Sequence, residues 1–375
     1  MVVYWSMFFY VFIIGYIGKA FVKNKNIKNK YNNGTTLFFA VAILILPVLF
    51  IGLRTNYVDT KAYISGFNEI SRNFSEVYNA LSTSKCPGWL IYEWIIKFFI
   101  TDNANAFLMI TAIIQAGALL KVYYKYSSDY TYSVLLFFLS MSFAMGMMNG
   151  IRQFLAVAII MYFSDYIFDG KYIKFIVVVL IAYSIHSTAI IWAVGVFIIQ
   201  GKPWNARVIV CILLAVLAIL FVDQFTNLLD EGLETTSYSG YTQQFSTDDG
   251  SNPMHTAVYA MPVAIAFWKR KRIAEVDNKN LNIMINISVL TFAISLLANF
   301  TSGILIGRMP IYFGVFNYAL LPLLFDNAFD KKDGSIIKFL CVAGYVCYAL
   351  YYMNNAWGSK GMPYISTILG INTWH

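Results

Sequence analysis

Five ionisable side chains stand out, because each lies at the edge of an apolar block, where charge is expensive to place. Arg54 closes one block in Gly52-Leu-Arg54-Thr, and Asp59 and Tyr63 follow it. Arg152 opens another in Asn149-Gly-Ile-Arg152-Gln153. His186 interrupts a third in Ser184-Ile-His186-Ser187, and Arg308 stands before Met309-Pro310. Three guanidiniums suit a diphosphate, whose oxygens match their fork of donors. Each residue also has a plainer reading. An edge arginine anchors a helix by snorkelling, a histidine at a helix break serves as a satisfied structural group, and Asp59 has Arg54 and Lys61 as potential ion-pair partners. Gln153 says less than the arginine before it.

Other site chemistries lack their motifs. Gly195 to Gly201 has the wrong spacing for a phosphate-binding loop, and Lys202 is followed by Pro203. HExxH, GxSxG and Asp-x-Asp are absent, and the chain has only 3 His. Glu275-Val-Asp277 and Asp248-Asp249 read as loop residues. No metal ligand and no cofactor is assigned.

The elements that must position these residues are apolar blocks. The chain has 375 residues, 59% hydrophobic and 12% charged, against roughly 45–50% and about 25% in soluble domains. So little charge cannot cover a soluble body, and it excludes a nucleic-acid-binding module despite the net charge of +8. Blocks long enough to cross a hydrocarbon core of about 30 Å fall near 3–22, 36–53, 104–124, 132–149, 151–168, 207–225, 256–270, 281–299, 309–325 and 336–352. The chain is therefore expected to be an all-α, polytopic membrane protein, a single membrane domain over 1–375. The first Lys is Lys19, after the first block, so that block has the wrong polarity for a signal peptide and reads as a retained helix with its N-terminus outside.

Two stretches need a decision. Residues 88–100 are apolar but too short to span. Glu93 and Lys97 lie one turn apart there, as on a helix lying in the membrane interface. The run 173–200, broken at His186, is one long helix or a hairpin of two short halves. The excess of Lys and Arg on cytoplasmic loops decides: of the 27 Lys and Arg, a hairpin places 19 inside and a single helix only 11. The hairpin gives about 12 passes with both termini outside. Three outer regions follow: 54–103 with its interfacial helix, the acidic loop 226–255, and the tail 353–375. Arg54, Arg152, His186 and Arg308 then share the outer face. The Lys/Asn-rich 23–33 is a solvated inner loop. Of the four cysteines, only Cys86 is expected to be exposed.

At these residues the sequence resembles the EpsG-like branch of the Wzy-type polysaccharide polymerases. The matching pieces are Gly52-Leu-Arg54 with Asp59 and Tyr63, Gly150-Ile-Arg-Gln153 with Ala156, Tyr183-Ser-Ile-His186-Ser187, Gly307-Arg308, and Trp357-Gly358 with Pro363-Tyr364. Their order is right along nearly the whole chain, although each piece alone is unspecific.

The resemblance implies a glycosyltransferase with a GT-C-like architecture at the outer face of the plasma membrane. Its substrates would be oligosaccharide repeat units on undecaprenyl diphosphate, for an O-antigen, capsule or exopolysaccharide, with a flippase and a chain-length regulator as partners besides the bilayer. Arg152 and Arg308 would clamp the donor diphosphate, with Gln153 beside them, and Arg54 and Tyr63 would serve the second substrate. His186 is suited to act as base near neutral pH, with Asp59 as its rival. The Thr235-Thr-Ser-Tyr238-Ser-Gly-Tyr241 stretch offers hydroxyls and rings to the glycan. The competing readings are a flippase for the same lipid-linked sugar, an O-antigen-ligase-like transferase, and, with less support, an acyltransferase.

Overall fold

The computed structural model describes residues 2–24, 34–233, 251–301, 303, 305–355 and 364–373. Contacts divide the chain into two compact units, Met1–Tyr162 with Phe339–His375, and Phe163–Lys338.

The first unit starts with α1 (Val2–Asn24) and α2 (Gly34–Gly52), packed on each other. Three short helices follow: α3 (Thr60–Glu69), α4 (Phe74–Leu81) and α5 (Pro87–Phe99). Then come α6 (Ala104–Tyr126), α7 (Tyr130–Leu139), a π-helical turn (Ala144–Asn149) and α8 (Ile151–Tyr162). Asn73, Asn103 and Asp129 each accept a hydrogen bond from a first-turn backbone N–H, which fixes where α4, α6 and α7 begin. Asp129 also pairs with Lys19 at 2.6 Å, tying α1 to the α6–α7 turn. The seam of α2 on α6 is very close: a Cβ at Gly52 would lie 2.8 Å from the Met109 Cα, so only glycine fits there. The expected span 132–149 is broken. Met141 takes a left-handed φ of 60°, a strained choice for a non-glycine residue, and the π turn leads into Gly150 and Arg152.

The second unit holds α9 (Asp165–Asp169), α10 (Tyr172–Ile185), a 3₁₀ turn (Ser187–Ile190), α11 (Ile191–Ile198), α12 (Ala206–Leu220), α13 (Val222–Leu233), α14 (Pro253–Trp268), α15 (Arg270–Val276), α16 (Lys279–Ala298), α17 (Ile311–Gly314) and α18 (Asn317–Ala328). The run 173–200 folds back on itself. The Tyr172 ring lies 5.4 Å from Phe197, and Phe175 lies 5.5 Å from Trp192. Two other expected helices are interrupted. α12 and α13 meet at a bend of 104°, and 309–325 divides into α17 and α18. α16 is buried around most of its circumference, and its Asn286 Nδ2 donates to the Ile199 carbonyl at 2.9 Å.

α19 (Lys331–Asn355) begins in the second unit and belongs to the first from Phe339 onward. Beyond it, β1 (Tyr364–Ser366) pairs antiparallel with β2 (Ile371–Thr373). Four described helices are long and apolar enough to cross a membrane: Val2–Phe21 of α1, α6, α16 and α19. The bent pair α12–α13 makes a fifth if it is one span. The apolar helices Thr36–Gly52, Tyr130–Leu139, Ile151–Tyr162, Tyr172–Ile185 and Ser187–Ile198 are shorter. The protein is thus an all-α membrane protein.

Thr235 to Tyr241, Asp248-Asp249, Trp357, Gly358, Pro363 and residues 25–33 lie outside the described residues. One expectation about cysteine is reversed. Cys86 is buried, because it forms the N-terminal boundary of α5 against the packed first unit, and Cys347 on α19 is exposed.

Candidate functional site

Arg54 follows the end of α2 and is 1% exposed. Its Nε donates to the Thr60 hydroxyl at 3.0 Å, and its Nη1 donates to the Ile51 carbonyl. Thr60 Oγ1 in turn donates to the Tyr57 carbonyl at 2.7 Å. The third nitrogen, Nη2, is buried and has no hydrogen-bond partner among the described residues. Burial pulls the guanidinium down to about 10, so it stays charged at neutral pH; Tyr364, Tyr63 and Tyr57 act on it weakly in the opposite direction. Asp59 does not pair with it. That carboxylate is exposed at the start of α3 and makes no capping bond. The local geometry explains why: the Arg54 donors turn inward to a hydroxyl and a carbonyl.

The C-terminal hairpin holds this segment in place. Thr55 N–H donates to the Ile365 carbonyl at 2.8 Å, and Ile365 N–H donates to the Asn56 carbonyl at 3.1 Å. Tyr364 Oη donates to the Phe50 carbonyl at 2.8 Å, and Ser366 Oγ donates to the Leu53 carbonyl at 2.6 Å. Arg54 is therefore bracketed on both sides by contacts from more than 300 residues away in sequence.

Tyr63, on α3, packs edge-on against Trp89 of α5, ring centroids 5.9 Å apart. One turn beyond Trp89 is Glu93. The α5 helix is short, as expected, but its charged face does not look into water. Glu93 is 5% exposed and Lys97 8%. The period of the sequence correctly put both on one face; it could not say that α3 and α6 cover that face. Lys97 Nζ donates to the Phe67 and Asn68 carbonyls at 2.9 and 2.7 Å and lies over the Phe67 ring. Burial pushes the Glu93 carboxyl up to about 8. Three neighbours pull the other way, the Arg152 guanidinium first, then the Trp89 indole N–H and the Lys97 ammonium.

Arg152 stands in the first turn of α8. Its Nε is buried and has no hydrogen-bond partner among the described residues. The start of α8 is fixed by Gln115 of α6, whose Nε2 donates to the Ile151 carbonyl at 3.0 Å. Gln153 is buried beside it. In the first unit the fold therefore links Arg54, Tyr63 and Arg152 through Trp89 and Glu93. The sequence reading missed the last two. An acid inside an apolar segment too short to span was the available signal.

In the second unit His186 sits where α10 ends, with extended backbone and 7% exposure. Its Nδ1 lies 2.7 Å from Thr188 Oγ1 and 3.1 Å from Tyr312 Oη. Thr188 Oγ1 also reaches Tyr312 Oη at 3.3 Å, and Trp192 Nε1 donates to the Tyr312 carbonyl at 3.2 Å. When Nδ1 donates to Thr188 and Thr188 donates onward to Tyr312, the ring lone pair is on Nε2, which is then the nitrogen that accepts a proton. Arg308 lies exposed in the turn ahead of α17, four residues before Tyr312. That turn is tight. A Cβ on Gly307 would lie 2.4 Å from the Gly303 carbonyl oxygen.

The fold defines the class, an all-α membrane protein, here with a buried arginine, Arg54, just past the end of an apolar helix. The chain belongs to the EpsG family, whose sequence pattern it matches over residues 36–366. EpsG-like proteins are Wzy-type polymerases, which gives this chain a glycosyltransferase-like role in making polysaccharide. No curated protein and no solved structure matches it. The matched region takes in Arg54, Arg152, His186, Arg308 and Tyr364.

Proposed function

We propose that the protein joins oligosaccharide repeat units carried on undecaprenyl diphosphate, at the outer face of the plasma membrane. The growing glycan leaves its lipid diphosphate and is attached to a hydroxyl of a second lipid-linked unit. The bond between the sugar anomeric carbon and the diphosphate oxygen breaks, and a glycosidic C–O bond forms. The hydroxyl proton passes to a base, and undecaprenyl diphosphate departs. The leaving group is already activated, so no nucleotide sugar is consumed.

The observation that carries this reading is Arg54: a buried cation with no acid partner and one nitrogen without a hydrogen bond among the described residues. A buried charge left so is costly, and an anionic substrate oxygen offsets that cost. Cleavage puts charge on the diphosphate, so preorganised cations act more strongly in the transition state than in the ground state. Arg152 and Arg308 are assigned to the donor diphosphate, Arg54 with Tyr63 to the second lipid-linked substrate, and Gln153 to the glycan. His186 is assigned as base in its Thr188-directed tautomer, ahead of the exposed Asp59. The membrane topology proposed is the 12-pass arrangement with a short broken hairpin, in a GT-C-like architecture, with a flippase and a chain-length regulator as partners.

The test is polymer length and yield in cells carrying His186→Ala, Asp59→Ala, Arg152→Ala or Arg308→Ala. Loss of long polymer in the His186 and arginine variants, with Asp59→Ala spared, is expected. Full polymer from His186→Ala removes the base assignment, and full polymer from both arginine variants removes the diphosphate clamp.

A further inference from the structure

The second unit holds a cavity of about 270 Å³ that the roles above leave unused. It lies between α11, α12, α13, α16 and α17, and its lining is aliphatic and aromatic apart from the Cys211 thiol. Cys211, Ala215 and Ala218 stand at i, i+4 and i+7 on one face of α12. They make a strip of small side chains about 10 Å long. The Phe225 and Phe313 rings also line the cavity. So do Val194 and Leu214, which are 65% and 58% exposed, and the cavity therefore opens on an apolar surface of the unit. Phe313 ties it to His186. The Phe313 ring packs on Trp192 at 4.4 Å, Trp192 Nε1 donates to the Tyr312 carbonyl, and Tyr312 Oη lies 3.1 Å from His186 Nδ1. Arg308 precedes Phe313 by five residues, which span at most about 18 Å.

We infer that this cavity receives the first isoprene units of the polyprenyl chain on the donor substrate. The inference rests on the reading that the protein handles polyprenyl-diphosphate substrates, and it adds a site for the hydrocarbon of the carrier. The lining has nothing for a sugar or a phosphate, since it contains no charged side chain, hydroxyl or carboxamide. A cavity of about 150 Å³ with similar walls takes a benzene ring, so this one has room for about ten carbons, or two isoprene units. Two units also match the length of the α12 strip. Transfer out of water cannot select the chain, because bilayer tails are as apolar as the lining. Shape can: small side chains between rings leave lateral space that methyl branches fill and a straight acyl chain leaves empty, losing contacts. Position agrees as well. A diphosphate held at Arg308 leaves its nearest isoprene units within reach of Phe313. Binding energy from this unreacting part of the substrate then helps to orient the reacting bond.

Photolabelling of the purified full-length protein in phosphatidylcholine bilayer discs tests this. The probe is farnesyl diphosphate with a diazirine on its second isoprene unit. Label should concentrate on the lining segments of α11, α12 and α16. Undecaprenyl phosphate in excess should suppress it, and dioleoyl phosphatidate at the same excess should not. Ala215→Phe fills the strip and should lower the label about tenfold. Leu220→Phe, on α12 but 69% exposed and outside the lining, should stay within about twofold of wild type. If Ala215→Phe does not fold, Ala218→Leu replaces it with the same expectation. Label spread evenly over the exposed helices overturns the site, and so does unchanged label in the filled variants. Equal suppression by dioleoyl phosphatidate makes the cavity an ordinary lipid site and overturns the inference. Chain growth is read separately. Labelling as expected without polymer would leave the site standing and remove the polymerase reading; polymer with evenly spread label would do the reverse.

Discussion

At the scale of single residues, the account depends most on Arg54, a buried cation with no acid partner among the described residues. Arg54 is legible from its place at the end of an apolar block, but its partners are not: Thr60 and the Ile51 carbonyl become neighbours only when the chain turns after α2. Arg54→Ala should lower chain growth by about 100-fold or more, the usual cost of removing one preorganised donor from developing charge. Arg54→Lys should recover little of it, because an ammonium cannot reproduce the fork. Retention of most activity by Arg54→Lys would reduce Arg54 to a point charge. Glu93 makes a second, independent prediction, about stability. Its carboxyl is raised from 4.5 to about 8 in the folded protein. The folded state therefore keeps a proton that the unfolded chain gives up from about pH 4.5. The stability this supplies is full below that pH and is lost as pH rises to about 8. Thermal unfolding should show Glu93→Gln gaining on wild type between pH 5 and pH 8. An offset that does not change with pH would place the carboxyl in water. The misreading of Glu93 has a physical origin: periodicity assigns a face to a helix, and only tertiary packing decides whether that face is wet.

At the scale of elements, helix identity was largely legible and helix continuity was not. Asn103 and Asp129 mark starts by capping, and the charge count chose the fold-back at His186. The break at Met141, the α12–α13 bend and the division between α17 and α18 are not marked by a capping residue of that kind. The tail was legible only as a tail. Tyr364 finds Phe50 and Ser366 finds Leu53 through main-chain carbonyls, which a sequence does not advertise. Loss of the Ser366 bond should cost about 1 kcal/mol. Removal of residues 364–375 should release the Arg54 segment, so that limited proteolysis cleaves near residues 54–60 faster and polymer yield falls. Unchanged cleavage and unchanged yield would make the hairpin an ornament of the fold.

At the scale of the whole molecule, composition alone established a membrane protein, and the distribution of Lys and Arg supplied a sidedness. That sidedness predicts labelling by a membrane-impermeant thiol reagent. On a cysteine-free background, Ser71→Cys should label in intact cells and Lys271→Cys only after permeabilisation. The opposite pattern would put the arginines on the cytoplasmic side and remove the outer-face assignment. The central claim is most directly tested by reconstituting the purified protein with undecaprenyl-diphosphate-linked repeat units and reading the products on a gel. A ladder of glycans growing without nucleotide sugar is the predicted result. Intact lipid-linked units that cross between leaflets without growing would contradict it and make the protein a transporter.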